Sequence, residues 1–329
     1  MNQIRLEATQ EGIKTVGVEK LCGFSTNSLL CICIVTWNMN GKLSNEEFAE
    51  LVGSDRKFDL LVVGFQEVPR GNNIAKLLQA VLVETHSLLG ESIMQSLQLF
   101  VFGPKNSELF NNEMKVDKHN VGGFGGLIRR KKGAVAISIS LKGIRMVFIA
   151  CHLSAHARYV EKRNFQCRQI SHSLFSKNGN PDARPSHLTV WLGDLNYRIQ
   201  GIDKQSVKNL IQKNLLELLT SKDQLLQEAE RGQMFDGYCE GNLAFKPTYK
   251  YNIGSNNYDY KLRVPSWTDR ILYKIDKFSE IDATLHSYES IDCIHSSDHK
   301  PVKAHLCLKA NQIPSPSPSP SPSHSIAVL

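Results

Sequence analysis

Polar side chains that can bind metals, move protons or hold phosphate stand at the ends of apolar runs. They are Asn38 with Asn40, Gln66-Glu67, His152, and Asp194 with Asn196, and Asp298-His299 precedes a further run. Because desolvating such groups is costly, those that cluster at strand ends commonly converge on one cleft. Carboxylate and amide oxygens without thiolates suit a hard cation such as Mg²⁺. An Asp and a His beside that ion favour in-line attack of water on phosphorus.

Each of these groups also has an ordinary structural explanation when it is taken alone. An Asn or Asp after a strand is commonly a turn residue or a helix cap, and His152 alone would be a hydrogen-bonded core residue. The repetition favours a functional site. The sequence has no GxSxG motif, so a carboxylate, amide and imidazole site is favoured over a serine nucleophile.

Basic residues exceed acidic ones by 39 to 32 and are unevenly placed. One cluster spans residues 129–132, and a looser one contains Lys246, Lys250, Lys261 and Arg263. Such a distribution suits a partner that carries phosphates, which includes nucleic acid, an anionic membrane and a small polyphosphate. The alternative is a solvated basic surface.

The composition, 41% hydrophobic and 22% charged over 329 residues, is that of a globular protein. No apolar run approaches the ~20 residues that cross a bilayer, and the N-terminal residues lack the apolar core of a secretory signal. Eight cysteines without a CxxC pair predict free thiols in a reducing compartment, the cytoplasm or the nucleus. Four zinc ligands at a recognisable spacing are not apparent.

Short apolar runs alternate with helical patterns between residues 29 and 310, and these elements must position the polar groups. The predicted strands are Leu30–Thr36, Leu60–Gly64, Leu97–Phe102, Ala134–Ser140, Met146–Ala150, Leu188–Leu192, Ile271–Tyr273 and Lys303–Leu308. The predicted helices are Glu46–Leu51, Ile74–Leu89, Ala157–Leu174 and a long stretch from Lys204 to Arg231. This order favours a mixed sheet, or two packed sheets with helices outside.

The pattern also predicts a division of the chain. Residues 1–28 form a polar N-terminal extension, residues 29–310 form the catalytic domain, and residues 311–329 form a tail. The tail contains five tandem Pro-Ser pairs, which predict an extended, disordered segment.

Five blocks of the sequence resemble the inositol polyphosphate 5-phosphatases, a family of the exonuclease–endonuclease–phosphatase superfamily. In its compact single-domain form the chain resembles the small plant-type members. The blocks are Trp37-Asn-Met-Asn-Gly41, Phe65-Gln-Glu-Val68, Trp191-Leu-Gly-Asp-Leu-Asn-Tyr-Arg198, Pro265-Ser-Trp-Thr-Asp-Arg-Ile-Leu272 and Ser297-Asp-His-Lys-Pro301. The resemblance implies a four-layer α/β/β/α sandwich of two mixed sheets. It also implies Mg²⁺-dependent removal of the 5-phosphate from phosphoinositides or inositol phosphates.

The resemblance implies specific roles for individual residues. Glu67 is expected to be the principal Mg²⁺ ligand, assisted by Asn40 and Asn38. Asp194 would orient and deprotonate the attacking water, and Asn196 would donate to the phosphoryl oxygens. His299 would contact the scissile phosphate as a cation, and Asp269 would hold His299 from behind. His152 would bind the same phosphate, and Asp298 would lie near the metal.

A second set is expected to bind the substrate. Tyr249, Lys250, Lys261 and Arg263 match positions that hold the 4-phosphate, where cations and a phenol make charge-assisted hydrogen bonds. The alternative is a basic surface loop. Lys132 and Arg198 complete the expected substrate contacts.

The sequence departs from the family pattern at four places. Lys131 stands where Asn is common, and Ala150-Cys151 replaces Asn-Ser. The run Arg163-Asn-Phe-Gln166 lacks the acidic residue often found after Arg-Asn, and Thr268 replaces Cys. None of these changes removes a metal or proton-transfer group, so an active enzyme is expected.

The expected partners are a phosphoinositide headgroup and, peripherally, an anionic membrane, with no nucleic acid and no obligate protein partner. Phe124, Leu127 and Ile128 beside the basic cluster suit shallow insertion into lipid, or else one buried face of a hairpin. The preferred substrate is phosphatidylinositol 4,5-bisphosphate, with the 3,4,5-trisphosphate as a second lipid. Alternatives are a 5-phosphatase for soluble inositol polyphosphates, a nuclease of the same superfamily, and a silent phosphoinositide binder.

Overall fold

The computed structural model describes residues 12–19, 22, 29–53, 58–105, 114–120, 132–174, 186–261 and 263–310. Several predicted features lie outside these residues. They are the apolar residues Phe124, Leu127 and Ile128, most of the basic cluster 129–132, and the Pro-Ser tail.

Thirteen strands form in the described part of the chain. They are β1 Lys14–Val16, β2 Leu30–Asn38, β3 Leu60–Gln66, β4 His86–Met94, β5 Leu97–Pro104, β6 Met114–Asn120, β7 Gly133–Leu141, β8 Ile144–His152, β9 Leu188–Asp194, β10 Cys239–Gly241, β11 Asp269–Ile275, β12 Ile281–Ser290 and β13 Val302–Ala310. All eight predicted strands are confirmed, each with small extensions at its ends.

The same described residues contain six α-helices and one 3₁₀ turn, Ala157–Tyr159. The helices are α1 Glu47–Val52, α2 Ile74–Leu82, α3 Val160–Ser173, α4 Lys204–Gln212, α5 Glu217–Thr220 and α6 Gln224–Glu230.

The strands form two mixed sheets that face each other. Within the described residues, the first sheet has the order β1-β10-β11-β9-β8-β7-β6 and the second the order β12-β13-β2-β3-β5-β4. Ile34 and Val62 of the second sheet share one buried cluster with Phe148 and Val190 of the first. A core between two sheets accounts for strands such as β2, which is buried along its whole length and reads as a continuous apolar run.

Helices cover the two outer faces. Phe48 of α1 and Leu78 of α2 pack on the second sheet, and Ile170 of α3 and Leu225 of α6 pack on the first. The four-layer α/β/β/α sandwich is therefore confirmed.

Gly193 explains how strands β8 and β9 can approach each other closely just before the candidate site. Its φ is +139°, and a Cβ at this position would lie 2.1 Å from the carbonyl oxygen of Cys151 on the neighbouring strand. Only glycine fits this backbone approach. Gly193 therefore allows β8 and β9 to stay paired up to their last residues.

Two helix predictions were wrong in extent. The predicted helix Ile74–Leu89 ends at Leu82, and His86 begins β4, because the chain turns there and pairs with β5. The stretch predicted as one helix from Lys204 to Arg231 is three short helices. Asn214 adopts a left-handed φ of 54° after α4, and the Asp223 side chain accepts from the Leu226 N–H to start α6.

Part of the predicted N-terminal extension is paired with the first sheet. Lys14–Val16 form β1, which runs parallel to β10 at the sheet edge. The proposed division of the chain into an extension, a domain and a tail stays a prediction. Among the described residues, no helix has both the length and the hydrophobicity to cross a bilayer.

Candidate active site

The predicted polar groups meet where strands of the two sheets end together. Asn38 ends β2 and Glu67 follows β3, its parallel neighbour. In the first sheet, His152 ends β8 in register with Asp194 at the end of β9, and Asp269 begins β11 opposite Asp194. A 2.9 Å hydrogen bond from Asn38 Nδ2 to Asp194 Oδ2 joins the two sheets at this edge.

Asp194 is a buried carboxylate surrounded by donors. Its Oδ1 accepts from the backbone N–H of Asn196 at 3.1 Å, and its Oδ2 lies 3.3 Å from His152 Nε2. Burial alone would raise the pKa of Asp194, but the hydrogen bond to His152 and positive charges such as Lys132 hold that pKa below its ordinary value. The carboxylate is therefore ionised at neutral pH.

His152 lies between this carboxylate and a lysine. Lys132 Nζ is hydrogen-bonded to His152 Nε2, and Glu67 Oε1 lies 3.9 Å from the same nitrogen. Burial and then the charge of Lys132 lower the pKa of His152 to about 4, although Asp194 opposes the shift. The imidazole is therefore neutral at pH 7.

His299 is held from behind by Asp269. The two are joined by a 2.9 Å hydrogen bond between His299 Nδ1 and Asp269 Oδ2, and the hydroxyls of Thr248 and Thr268 donate to the same oxygen at 2.7 and 2.8 Å. Burial alone would lower the pKa of His299, but the charge and hydrogen bond of Asp269 outweigh it and raise that pKa above 6.5. Asp298, half-buried next to His299, contributes to the same rise.

Asn196 and Arg198 extend the site from Asp194 towards Tyr249. Asn196 has a left-handed φ of 60°, and its Nδ2 donates to the Leu153 carbonyl at 3.1 Å. Arg198 donates through Nε and NH2 to the carbonyl and side-chain oxygens of Asn196, and its guanidinium lies 4.6 Å from the centre of the Tyr249 ring. The NH1 group of Arg198 is buried and has no hydrogen-bond partner among the residues that the structure describes. A buried guanidinium with a spare donor group is suited to an anionic ligand.

Tyr249 closes this side of the site. Its ring centre lies 4.4 Å from that of His299. Tyr249, His299 and Arg198 therefore form one continuous surface.

Glu67 and Asn40 supply oxygen ligands suited to a hard divalent cation. Glu67 is one-quarter exposed, and both residues adopt left-handed backbone angles, with φ of 55° and 48°. Non-glycine residues rarely adopt this conformation, and it is concentrated at functional sites. Asn38 Oδ1 accepts from the Asn40 N–H at 3.0 Å and keeps a second lone pair. The donor set fits Mg²⁺ in its chemistry.

A second group of possible ligands lies beside the first. The ligand atoms of Asp194, Asp269 and His299 are all within 4.8 Å of one another. The Asp269 Oδ1 atom of this group is buried, and within the described part of the chain it has no hydrogen-bond partner. Since His299 is already paired with Asp269, the oxygen set around Glu67 suits a hard cation better.

The outer basic residues have different hydrogen-bond partners. Lys250 makes a 2.9 Å ion pair with Asp259, which raises the pKa of Lys250, and the backbone N–H of Lys261 donates to the same carboxylate. Arg263 instead donates to His156 Nδ1 at 3.1 Å. Asp259 was not singled out in the sequence, although its position two residues before Lys261 was a signal that this loop is not purely basic.

Arg270, in the Pro-x-Trp-x-Asp-Arg block, has a structural role that sequence reasoning missed. It is fully buried and pairs with Asp223 at 2.9 Å and with Glu240 at 2.6 Å. Tyr288 on β12 donates to Glu240 at 2.8 Å. This network anchors β11, which begins at Asp269, to both flanking layers.

Two of the four departures from the family pattern have a clear structural setting. The hydroxyl of Thr268 donates to Asp269, and the side-chain oxygen of Gln166 accepts from the Ser154 N–H at 3.0 Å, which holds the loop after β8. Ala150 and Cys151 are buried within β8. Lys131 lies outside the described residues.

A scan against family models matches residues 35–305 to endonuclease/exonuclease/phosphatase family 2. The chain is also 58% identical, over 92% of its length and 90% of the relative, to the type IV inositol polyphosphate 5-phosphatase 11 of Arabidopsis thaliana. The chain belongs to the inositol polyphosphate 5-phosphatase family. It is therefore a phosphatase, a hydrolase of phosphoric monoesters.

Other members of the 5-phosphatase family match over the catalytic region. The human phosphatidylinositol 4,5-bisphosphate 5-phosphatase A is 32% identical over 84% of this chain, which spans 30% of that relative. Among solved structures, the inositol polyphosphate 5-phosphatase domain of SPsynaptojanin, in complex with inositol (1,4)-bisphosphate and calcium ion, has a TM-score of 0.69 and 27% identity, with 86% of each chain covered. The match confirms the 5-phosphatase fold.

Proposed function

We propose that this 5-phosphatase removes the 5-phosphate of phosphatidylinositol 4,5-bisphosphate, and of the 3,4,5-trisphosphate as a second substrate, with Mg²⁺ as cofactor. One observation carries the proposal. Asn196 links an ionised buried carboxylate, Asp194, to a buried guanidinium, Arg198, that has an unpartnered NH1 group. This arrangement provides a base for water and a donor for a phosphate within one site.

Glu67, with Asn40 and Asn38, would hold the metal. When bound, Mg²⁺ supplies positive charge that neutralises the phosphoryl oxygens as the transition state forms. The calcium ion named with the SPsynaptojanin domain supports a divalent cation in this family. The choice of Mg²⁺ rests on the oxygen donors.

Side chains of the protein carry out the remaining steps of the reaction. Asp194 orients the attacking water and accepts its proton, and Asn38 fixes the orientation of that carboxylate. Asn196 Nδ2 gives one N–H to Leu153 and has a second N–H for a phosphoryl oxygen. Arg198 and the cationic His299 donate to the same phosphate, which leaves as inorganic phosphate without a covalent intermediate.

The headgroup would be selected on the Tyr249 side. Tyr249, Lys250, Lys261 and Arg263 would hold the 4-phosphate, with Lys132 near the scissile group. Asp259 positions Lys250 and reduces the net charge of this loop, so a single additional phosphate is matched better than a highly phosphorylated ring.

A soluble inositol polyphosphate is a second candidate substrate. The name of the Arabidopsis relative and the inositol (1,4)-bisphosphate bound to SPsynaptojanin both favour it. For hydrolysis of the lipid substrate, we propose that the protein is cytoplasmic and makes peripheral contact with anionic membranes.

The test measures phosphate release from vesicles of phosphatidylcholine with phosphatidylinositol 4,5-bisphosphate, and from soluble inositol 1,4,5-trisphosphate, over a Mg²⁺ titration. Product headgroups are identified by chromatography after deacylation. The proposal expects phosphatidylinositol 4-phosphate, and it expects Glu67→Gln to raise the Mg²⁺ concentration for half-maximal rate at least about tenfold. Asp282→Asn, an exposed carboxylate on β12, is the matched control. Turnover of the soluble substrate alone would exclude the lipid assignment.

A further inference from the structure

A second cluster of metal-ligating side chains lies on the outer face of the second sheet. His305 and Cys307 are two residues apart on β13 and therefore share a face, and Cys31 on β2 is the register partner of Cys307. Cys22 completes the group, and the four ligand atoms lie within 4.8 Å of one another. Cys31 is seven residues before Asn38 on the same strand, about 23 Å from the active site.

A residue shortly before Cys22 contacts the neighbouring strand β12. The backbone N–H of Glu19 donates to the Leu285 carbonyl at 2.9 Å, and the Glu19 carbonyl lies 2.7 Å from His286 Nδ1. The ring of His286 is 5.7 Å from that of His305, centre to centre. Glu19, three residues before Cys22, is therefore held against β12.

Three of the distances between these ligand atoms lie near the edges of a tetrahedral zinc site. Cys22 Sγ lies 3.5 Å from Cys307 Sγ, and His305 Nε2 lies 3.6 Å from Cys307 Sγ and 4.0 Å from Cys22 Sγ. Zinc bonds of about 2.3 Å to sulfur and about 2.0 Å to nitrogen give tetrahedral edges of about 3.5 to 3.8 Å. Three cysteines and one histidine are a common closed zinc-ligand set.

We propose that Cys22, Cys31, His305 and Cys307 bind one structural Zn²⁺ ion in the reduced protein. The structure contains the oxidised form, in which Cys31 and Cys307 are joined by a disulfide. A dithiol reductant supplies the two electrons and two protons that convert this disulfide to two thiols, and is itself oxidised to a disulfide. Zn²⁺ then replaces the protons of three thiols, which are released to solvent.

Two expectations from the sequence change with this cluster. The prediction of free thiols is wrong for Cys31 and Cys307. The ligand spacing was not recognisable because Cys22 and Cys31 are separated from His305 by most of the chain. The pairing of β2 with β13 brings Cys31 close to His305 and Cys307. The site would tie the N-terminal segment to the second sheet.

The test uses the full-length chain, reduced with a phosphine, freed of metal and loaded with Zn²⁺ or Co²⁺. Metal content is measured by mass spectrometry after gel filtration, and Co²⁺ is followed by the charge-transfer absorption of thiolate ligands, which an oxygen site cannot produce. The wild type and Cys293→Ser, an exposed thiol outside the cluster, should each show about one equivalent with the thiolate signature. Cys22→Ser should lose at least about tenfold in affinity, and so should the wild type oxidised with diamide.

The proposal is overturned if the reduced wild type shows no thiolate-bound Co²⁺, or if Cys22→Ser or the oxidised chain binds as tightly as the reduced wild type. Cys22 is only partly buried, so its serine variant is expected to fold. The thermal unfolding midpoint without metal checks that point.

Discussion

Asn38 and Asp194 belong to different sheets, and the 2.9 Å hydrogen bond between their side chains fixes the candidate base to both halves of the sandwich. The same amide accepts from the Asn40 N–H through its oxygen. One side chain therefore connects the proposed metal ligands with the proposed base, so a change at Asn38 should affect catalysis more than folding.

Replacing Asn38 with alanine is expected to lower kcat about 10- to 150-fold. A hydrogen bond to a charged group is worth about 1.5–3 kcal/mol, and each 1.36 kcal/mol is about tenfold in rate. Steady-state kinetics at saturating Mg²⁺ measure the effect, with the exposed Asn72→Ala as the control. An unchanged kcat for Asn38→Ala would show that the bond does not position the base.

Asp269 should set the alkaline limit of activity. Because Asp269 raises the pKa of His299 above 6.5, cationic His299 persists to a higher pH, and the stability that this pair contributes is also lost only as the pH rises through the raised value. Asp269→Asn removes the charge, so the alkaline limb of the kcat profile should move to lower pH. A limb that stays in place would exclude His299 as the titrating group.

Arg198 is expected to bind substrate rather than to support the fold. Arg198→Ala should lower kcat/KM by about 10² or more, since charge-assisted donors to phosphate are lost. Arg198→Lys should recover only part of this, because an ammonium lacks the planar fork. The exposed Arg158→Ala serves as the control, and equal losses in both alanine variants would argue against a specific phosphate contact.

Arg270, in contrast to Arg198, is expected to support the fold rather than to bind substrate. Arg270→Met leaves Asp223 and Glu240 buried without their cation, which costs about 3–5 kcal/mol of unfolding free energy. Arg231→Met removes an exposed cation from Glu228, which keeps its hydrogen bond from Asn164, and should cost less than about 1 kcal/mol. Urea unfolding measures both. A small effect at Arg270 would mean that the network is not needed to hold β11.

Buried strands could be predicted from the sequence because both faces of each are covered. Leu30–Thr36 and Leu188–Leu192 are uninterrupted apolar runs, so their existence and the polar residues at their ends were visible. β4 was missed because its exposed positions blur the pattern and because a helical period continues into it from α2. β1 and β10, with three residues each, are too short to show a period.

The convergence of the site was predictable, but its internal partners were not. Asn38, Glu67, His152 and Asp194 follow strands that had been predicted, so their meeting at one edge could be expected. The pairing of Lys250 with Asp259 depends on an irregular loop, and the pairing of Arg270 with Glu240 joins residues thirty positions apart. Such contacts depend on the tertiary structure and leave no periodic signal in the sequence.

The central claim is that Asp194 is the base of a Mg²⁺-dependent 5-phosphatase acting on lipid. The most direct measurement is phosphate release from phosphatidylinositol 4,5-bisphosphate vesicles by the wild type and by Asp194→Asn, with the product identified. The expected result is phosphatidylinositol 4-phosphate from the wild type, no release in EDTA, and a rate at least about 10² lower for the variant. Release of a different phosphate, or an Asp194→Asn rate equal to that of the wild type, would contradict the claim.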